Sequence, residues 1–206
     1  MRNFIKTGLL LVALFVSASV FASVFAQGEV KYGINAGVNL SNMSGDYDGD
    51  AKVGFQIGAT VDYYLTQELF LQSGLSFTTK GLKFGDEASL ANLKISASYL
   101  QLPIRLGYAI PVSDGFSVNF NAGPYLAYGI AGNRKLAILG FTDEGDTFGD
   151  KGSLERFDFG IGGGVGAEFN AITVNLGYEY GIANASSVDN ISAHNTNAFL
   201  TVGYKF

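Results

Sequence analysis

Asn197-Ala-Phe-Leu-Thr-Val-Gly-Tyr-Lys-Phe206 decides how this chain is read. Ala198, Leu200, Val202, Tyr204 and Phe206 fall on one face, and Asn197, Phe199, Thr201, Gly203 and Lys205 on the other. A period of two is a β-strand. One face is apolar and ends in an aromatic; the other is mostly small or polar. Two surroundings suit that pattern: the closing strand of a barrel with its apolar face turned to lipid, or a half-buried edge strand of a soluble sheet. The opposite end of the chain separates them.

Arg2 and Lys6 supply a positive n-region, Gly8 to Phe21 an apolar stretch, and Val24-Phe25-Ala26 a small-x-small site. Together they predict an export signal over 1–26, cleaved between Ala26 and Gln27. No Cys follows that site, so a lipoprotein anchor is not expected. The small-residue run ending at Ala26 argues against an uncleaved membrane helix. No later stretch is long and apolar enough to form one.

Eight alternating segments follow, near 30–40, 53–65, 69–80, 97–109, 116–130, 154–169, 172–182 and 195–206. The fourth sets Leu100, Leu102, Ile104, Leu106 and Tyr108 against Tyr99, Gln101, Pro103 and Arg105. Each is long enough to cross a bilayer as a tilted strand of about 9–11 residues. Their connections alternate. Long ones lie near 41–52, 81–96, 131–153 and 183–194, and short ones near 66–68, 110–115 and 170–171. Membrane barrels sort their loops in this way. The reading is an all-β, eight-stranded, antiparallel up-and-down transmembrane barrel over 27–206. Both termini are then expected on the short-turn, periplasmic side of the outer membrane. The gly-rich loop at 131–153, with Asp143, Glu144, Asp146 and Asp150, is expected to be extracellular and mobile.

Composition agrees. The chain has 28 glycines, 3 prolines, 11 tyrosines and 17 phenylalanines, a β-rich mixture suited to aromatic belts. It has no cysteine, which excludes a disulfide scaffold and thiolate metal sites. Residues 1–26 carry two cations and no acid, so the formal charge of -5 becomes -7 in the mature chain. That balance argues against a nucleic-acid partner.

Three stretches carry a resemblance: Tyr99-Leu-Gln-Leu-Pro-Ile-Arg-Leu-Gly-Tyr108, Ala122-Gly-Pro-Tyr-Leu-Ala-Tyr128 and Phe157-Asp-Phe-Gly-Ile-Gly-Gly-Gly-Val-Gly166. The chain resembles the outer-membrane β-barrel family labelled porin-family or PorT-like. Its architecture looks like the OmpX and OmpA membrane domains. The resemblance implies a fold more than an activity. It also implies that Phe206, with Tyr204 and Val202, belongs to a signal read by the barrel-insertion machinery.

Candidate sites come from strand parity. Asp62, Arg105, Asp158, Glu168 and Glu179 all project into the lumen. A barrel of eight strands is about wide enough for side chains to fill it, so buried charges must pair. Arg105, Asp62 and Glu168 each lie a few residues from a short turn, and Arg105 is therefore expected to neutralise the two carboxylates. Gly160, Gly162, Gly164 and Gly166 face inward, with Gly162 opposite Glu179. Asp46-Tyr-Asp-Gly-Asp50 hints at a calcium loop but departs from the EF-hand pattern at Gly49 and Ile57, so no metal is expected. His194 has Ser192 and Thr196 nearby and no carboxylate closer than Asp189, so catalysis is not expected either. No cofactor is implied. The expected role is structural or cell-surface interaction, with outer-membrane lipid and an unknown surface ligand as partners. The alternatives are a small porin and an enzyme acting on outer-membrane lipid.

Overall fold

The computed structural model describes residues 28–46, 49–84, 91–138, 141–148, 154–187 and 190–206. The expected signal over 1–26 and its cleavage site at Ala26 and Gln27 lie outside the described residues. So do Asp48 and Asp189.

The strands are β1 (Val30–Gly45), β2 (Asp50–Tyr64), β3 (Leu69–Phe84), β4 (Ala91–Ser113), β5 (Phe116–Ile138), β6 (Phe141–Asp146), β7 (Phe157–Phe169), β8 (Ile172–Gly181) and β9 (Ala193–Lys205). The sheet order is β4-β3-β2-β1-β9-β8-β7-β5, and β4 pairs with β5 to close the ring. Every pairing is antiparallel, including the seam from Gly33↔Lys205 to Gly45↔Ala193. Eight strands therefore form a closed barrel, as the alternation predicts. The additional strand, β6, pairs with the top of β5 from Asn133↔Asp146 to Ile138↔Phe141.

Face chemistry orients the wall. Val38, Phe55, Leu75, Leu106, Phe120, Leu176 and Val202 all point outward and are exposed. Asn39, Asp62, Lys80, Arg105, Asp158, Glu179 and Asn197 point inward and are buried. A soluble barrel reverses this arrangement. A continuous apolar belt of this size fits a hydrocarbon surround.

The short-turn end is tied by local chemistry. Thr66 Oγ1 accepts from the amides of Glu68 at 3.2 Å and Leu69 at 2.9 Å. Gly115 (φ 72°) and Asn170 (φ 54°) take the left-handed conformations that tight hairpins need, and the Asn170 amide donates to Gly115 O at 2.6 Å.

The strands run further than expected at the other end. β4 and β5 each have 23 residues. Beyond the lipid belt the outward face turns polar and the inward face turns apolar at Leu82, Leu93 and Ile95, so the alternation inverts while backbone pairing continues. The expected loop at 131–153 is corrected accordingly. β5 continues to Ile138, β6 pairs back along it, and Thr147 and Phe148 are buried in the barrel mouth. An apolar ring and a hydroxyl with a partner, Thr147 Oγ1 to Ser96 O at 3.0 Å, draw the chain inward.

Candidate functional site

The lumen carries its charges in two tiers. The lower tier lies near the short turns. Lys205 Nζ is 2.9 Å from Asp62 Oδ2 and 2.6 Å from Glu168 Oε2. Gln72 Nε2 donates to the other Asp62 oxygen at 2.8 Å. β9 delivers Lys205 inward because its parity puts Phe199, Thr201 and Gly203 on the same side.

The upper tier is centred on Glu179 of β8. Oε1 accepts from Arg105 Nη2 and from Gln101 Nε2, each at 2.7 Å. Oε2 accepts from Asn197 Nδ2 at 3.2 Å and faces Lys80 Nζ at 3.8 Å. Lys80 also lies 3.9 Å from Asp158 Oδ2, which accepts from the Tyr125 hydroxyl at 3.2 Å and Asn195 Nδ2 at 3.0 Å. The Tyr125 and Tyr99 rings take up the ammonium at 4.7 and 5.7 Å from their centroids. Two cations meet two carboxylates, so the tier is neutral, as a water-poor setting demands. A Cβ at Gly162 would sit 2.7 Å from Glu179 Cγ, so only glycine leaves room for that carboxylate.

An apolar cap closes the long-loop end above this tier. Met43, Leu82, Ile95, Tyr99, Phe148 and Leu154 are all buried there. Phe148 meets Tyr99 edge-on at 5.7 Å, and the Arg156 guanidinium lies over the Phe148 ring, 5.2 Å from its centroid. Between the tiers is a polar cavity of about 60 Å³, bordered by Thr78, Gln101, Arg105, Asn121 and Thr201. That volume accommodates about four to six waters. Arg105 Nε, Gln101 Oε1 and Thr78 Oγ1 border it without a hydrogen-bond partner in the protein.

All five carboxylate and guanidinium candidates thus sit in the lumen, but the expected pairing is corrected. Arg105 binds Glu179, and Lys205 takes Asp62 and Glu168. The reason is tilt. In a sheared barrel, equal distance from the turns does not mean equal height. Arg105 lies opposite Gln72 and extends its side chain away from the turns. Lys80 and Lys205 were not singled out from the sequence, although the polar parity of β3 and β9 marks both. Tyr125 and Gln101 were legible by parity too, but neither carries the charge that draws notice.

The other candidates sit apart from the lumen. His194 Nδ1 lies 3.1 Å from Ala183 O, and its ring stacks on Tyr180 at 5.9 Å. Thr196 Oγ1 donates to Asn42 O at 3.1 Å, and the Ser192 amide to Asp46 Oδ2 at 2.8 Å. The imidazole, the Thr196 hydroxyl and the Asp46 carboxylate are therefore engaged separately. Asp50 lies opposite Lys83 in the β2–β3 register. Val202, Tyr204 and Phe206 are exposed on the lipid face, and the Phe206 amide donates to Tyr32 O at 2.8 Å.

A closed barrel with an apolar exterior and a charged, capped interior defines an integral membrane β-barrel. Residues 25–187 match the family described as outer membrane protein beta-barrel domain, and the chain belongs to that family. It is accordingly a protein of the outer membrane. Among solved structures, the outer membrane enzyme PagL is 14% identical over 82% of this chain and 98% of its own, with a TM-score of 0.51. Ail, the attachment invasion locus protein of Yersinia pestis, is 19% identical over 86% and 99%, with a TM-score of 0.43. OprG from Pseudomonas aeruginosa is 15% identical over 87% and 97%, with a TM-score of 0.47. At these identities the likeness is one of fold. No curated protein sequence matches the chain.

Proposed function

We propose that this protein is a non-enzymatic, closed-lumen barrel. Its wall seats it in the outer membrane, and its long-loop end, turned away from the cell, engages a surface partner. One observation carries the reading. The lumen is blocked by the Lys80–Asp158–Glu179–Arg105 tier and again by the cap of Tyr99, Phe148 and Leu154. A pore needs a continuous polar path; here two separate barriers interrupt it. The remaining differentiated surface is the extended sheet above the belt.

Planar-bilayer recording of the refolded barrel tests this. The expected result is no unitary conductance. Steady steps from the wild-type protein would overturn it and favour the small-porin reading. Orientation is tested separately with epitopes. One inserted at Gly145 is expected to stain on intact cells, and one at Asp114 only after the outer membrane is opened. The reverse pattern would invert the topology.

A further inference from the structure

Eleven Lys and Arg residues follow residue 26. Lys80, Arg105 and Lys205 are used inside the lumen. Another group gathers on the outside, at the long-loop end. Lys83 of β3 lies directly opposite Lys94 of β4, and Lys94 directly opposite Lys135 of β5. Adjacent strands are about 4.8 Å apart, so three ammonium groups form a row across the sheet. Lys52 adds a fourth. Its stem passes over Gly81, with Cδ 3.1 Å from where a Cβ would lie there, and it is within electrostatic reach of Lys94 and Lys83.

Like charges placed directly opposite one another destabilise a sheet. Lys135 is offset by Glu144 at 3.0 Å. Lys83 and Lys94 are exposed and form no ion pair among the described residues, although Asp50 is in register with Lys83. In a chain of net charge -5 this is a concentrated exception.

Position narrows the ligand. On β4 the outward residues Ile110, Tyr108, Leu106, Ile104, Leu102 and Leu100 form the lipid face, followed by Ser98, Ser96 and then Lys94. Lys94 is six residues beyond Leu100, about 20 Å along the strand and about 15 Å in height at the usual tilt. A phospholipid interface is only about 5–7 Å deep per side. The row therefore continues the lipid-facing wall, yet stands above phospholipid headgroups. Lysine stems reach down along such a wall while the ammonium stays in polar surroundings.

We propose that Lys83, Lys94 and Lys135, assisted by Lys52, bind the phosphate groups of a phosphorylated glycolipid whose sugar headgroup rises to this height in the adjoining leaflet. The proposal rests on the orientation given above, in which the long-loop end faces outward. Epitope staining decides that orientation independently of the binding experiment, which is done in detergent.

The purified, folded barrel in detergent is titrated with rough-type lipopolysaccharide as the phosphorylated glycolipid, and bound molecules are counted by native mass spectrometry. Lys83→Gln with Lys94→Gln is expected to weaken binding about 30-fold. Lys83→Arg with Lys94→Arg is expected to keep it. Dephosphorylated lipopolysaccharide is expected to bind wild-type protein as weakly as the intact glycolipid binds the glutamine variant, an arm that needs no substitution. Equal binding by wild type and the glutamine variant would overturn the proposal, as would indifference to dephosphorylation. Phosphatidylglycerol binding as tightly as the glycolipid would overturn the height argument. Heparin binding with the same dependence on Lys83 and Lys94, and competing fully, would assign the row to soluble polyanions instead.

Discussion

The two charge tiers of the lumen solve one problem under different conditions. The upper tier is enclosed on the side of Lys80, Asp158 and Glu179, which are at most 2% exposed, while Arg105 at its edge retains 10% side-chain exposure, and its charges balance. The lower tier is near the mouth, where Lys205 retains 12% and Glu168 13% side-chain exposure, and one cation serves two carboxylates. The unbalanced tier is the one nearer the open short-turn end, where Lys205 and Glu168 keep the larger exposure. Where solvent is excluded, neutrality is built from side chains, dipoles and ring faces. Where solvent enters, an excess charge is tolerated.

The largest expected effect separates the tiers directly. Glu179→Ala strands Arg105 and Lys80 with Asp158 as the remaining carboxylate of the tier. It is expected to destabilise the barrel by about 3–5 kcal/mol in urea unfolding in lipid or detergent. A loss under about 1 kcal/mol would show that the upper tier is hydrated and would remove the contrast. A double-mutant cycle sharpens the pairing itself. Arg105→Ala with Glu179→Ala is expected to show coupling of about 1–3 kcal/mol, and Arg105→Ala with Asp62→Ala coupling within about 0.5 kcal/mol. Reversed values would restore the Arg105–Asp62 pairing that the sequence suggests. The smallest effect belongs to the mouth. Lys205→Ala is expected to cost about 1–2 kcal/mol, between the exposed and buried limits, and less at high salt. A salt-independent loss as large as that of Glu179→Ala would make the two tiers equivalent.

Parity made most of this legible. A two-residue period assigns Asp62, Arg105, Asp158, Glu168 and Glu179 to one side of the wall whether or not the strand ends are known. Height is another matter. Arg105 appears level with Asp62 when residues are counted from the turns, but shear offsets the strands and a long side chain adds its own reach. Partners across a lumen thus depend on a quantity that no single strand encodes. The upper reach of the sheet was hidden for a different reason. From Ser41 to Gly45 neither face is consistently apolar, and around Lys83 and Lys94 the period inverts, with Leu82, Leu93 and Ile95 turned inward to the cap, so the lipid-facing pattern that marks the other strands stops there. The inward turn of Phe148 was hidden too, because one aromatic in a polar stretch reads as a loop residue. Lys80 and Lys205 lie on the inward parity of β3 and β9, yet sequence spacing gives neither a partner. Each was a single charge on a polar face, and only the closed ring brings their carboxylates within reach.

Lys205 has one more consequence. It belongs to β9, and its partners lie on opposite sides: Glu168 on β7, across β8, and Asp62 on β2, across β1. The β9–β1 pairing is where the two ends of the sheet meet, so the Lys205–Asp62 contact spans the join like a clasp. In a half-built sheet Asp62 lacks this counter-ion, whereas Glu168, on the same side of the join as β9, can already hold it. It reaches Asp62 only when the ring becomes continuous and in the correct register, since a slip of one residue would turn Lys205 outward. The clasp thus makes correct closure an electrostatic event, recorded by a single ammonium group.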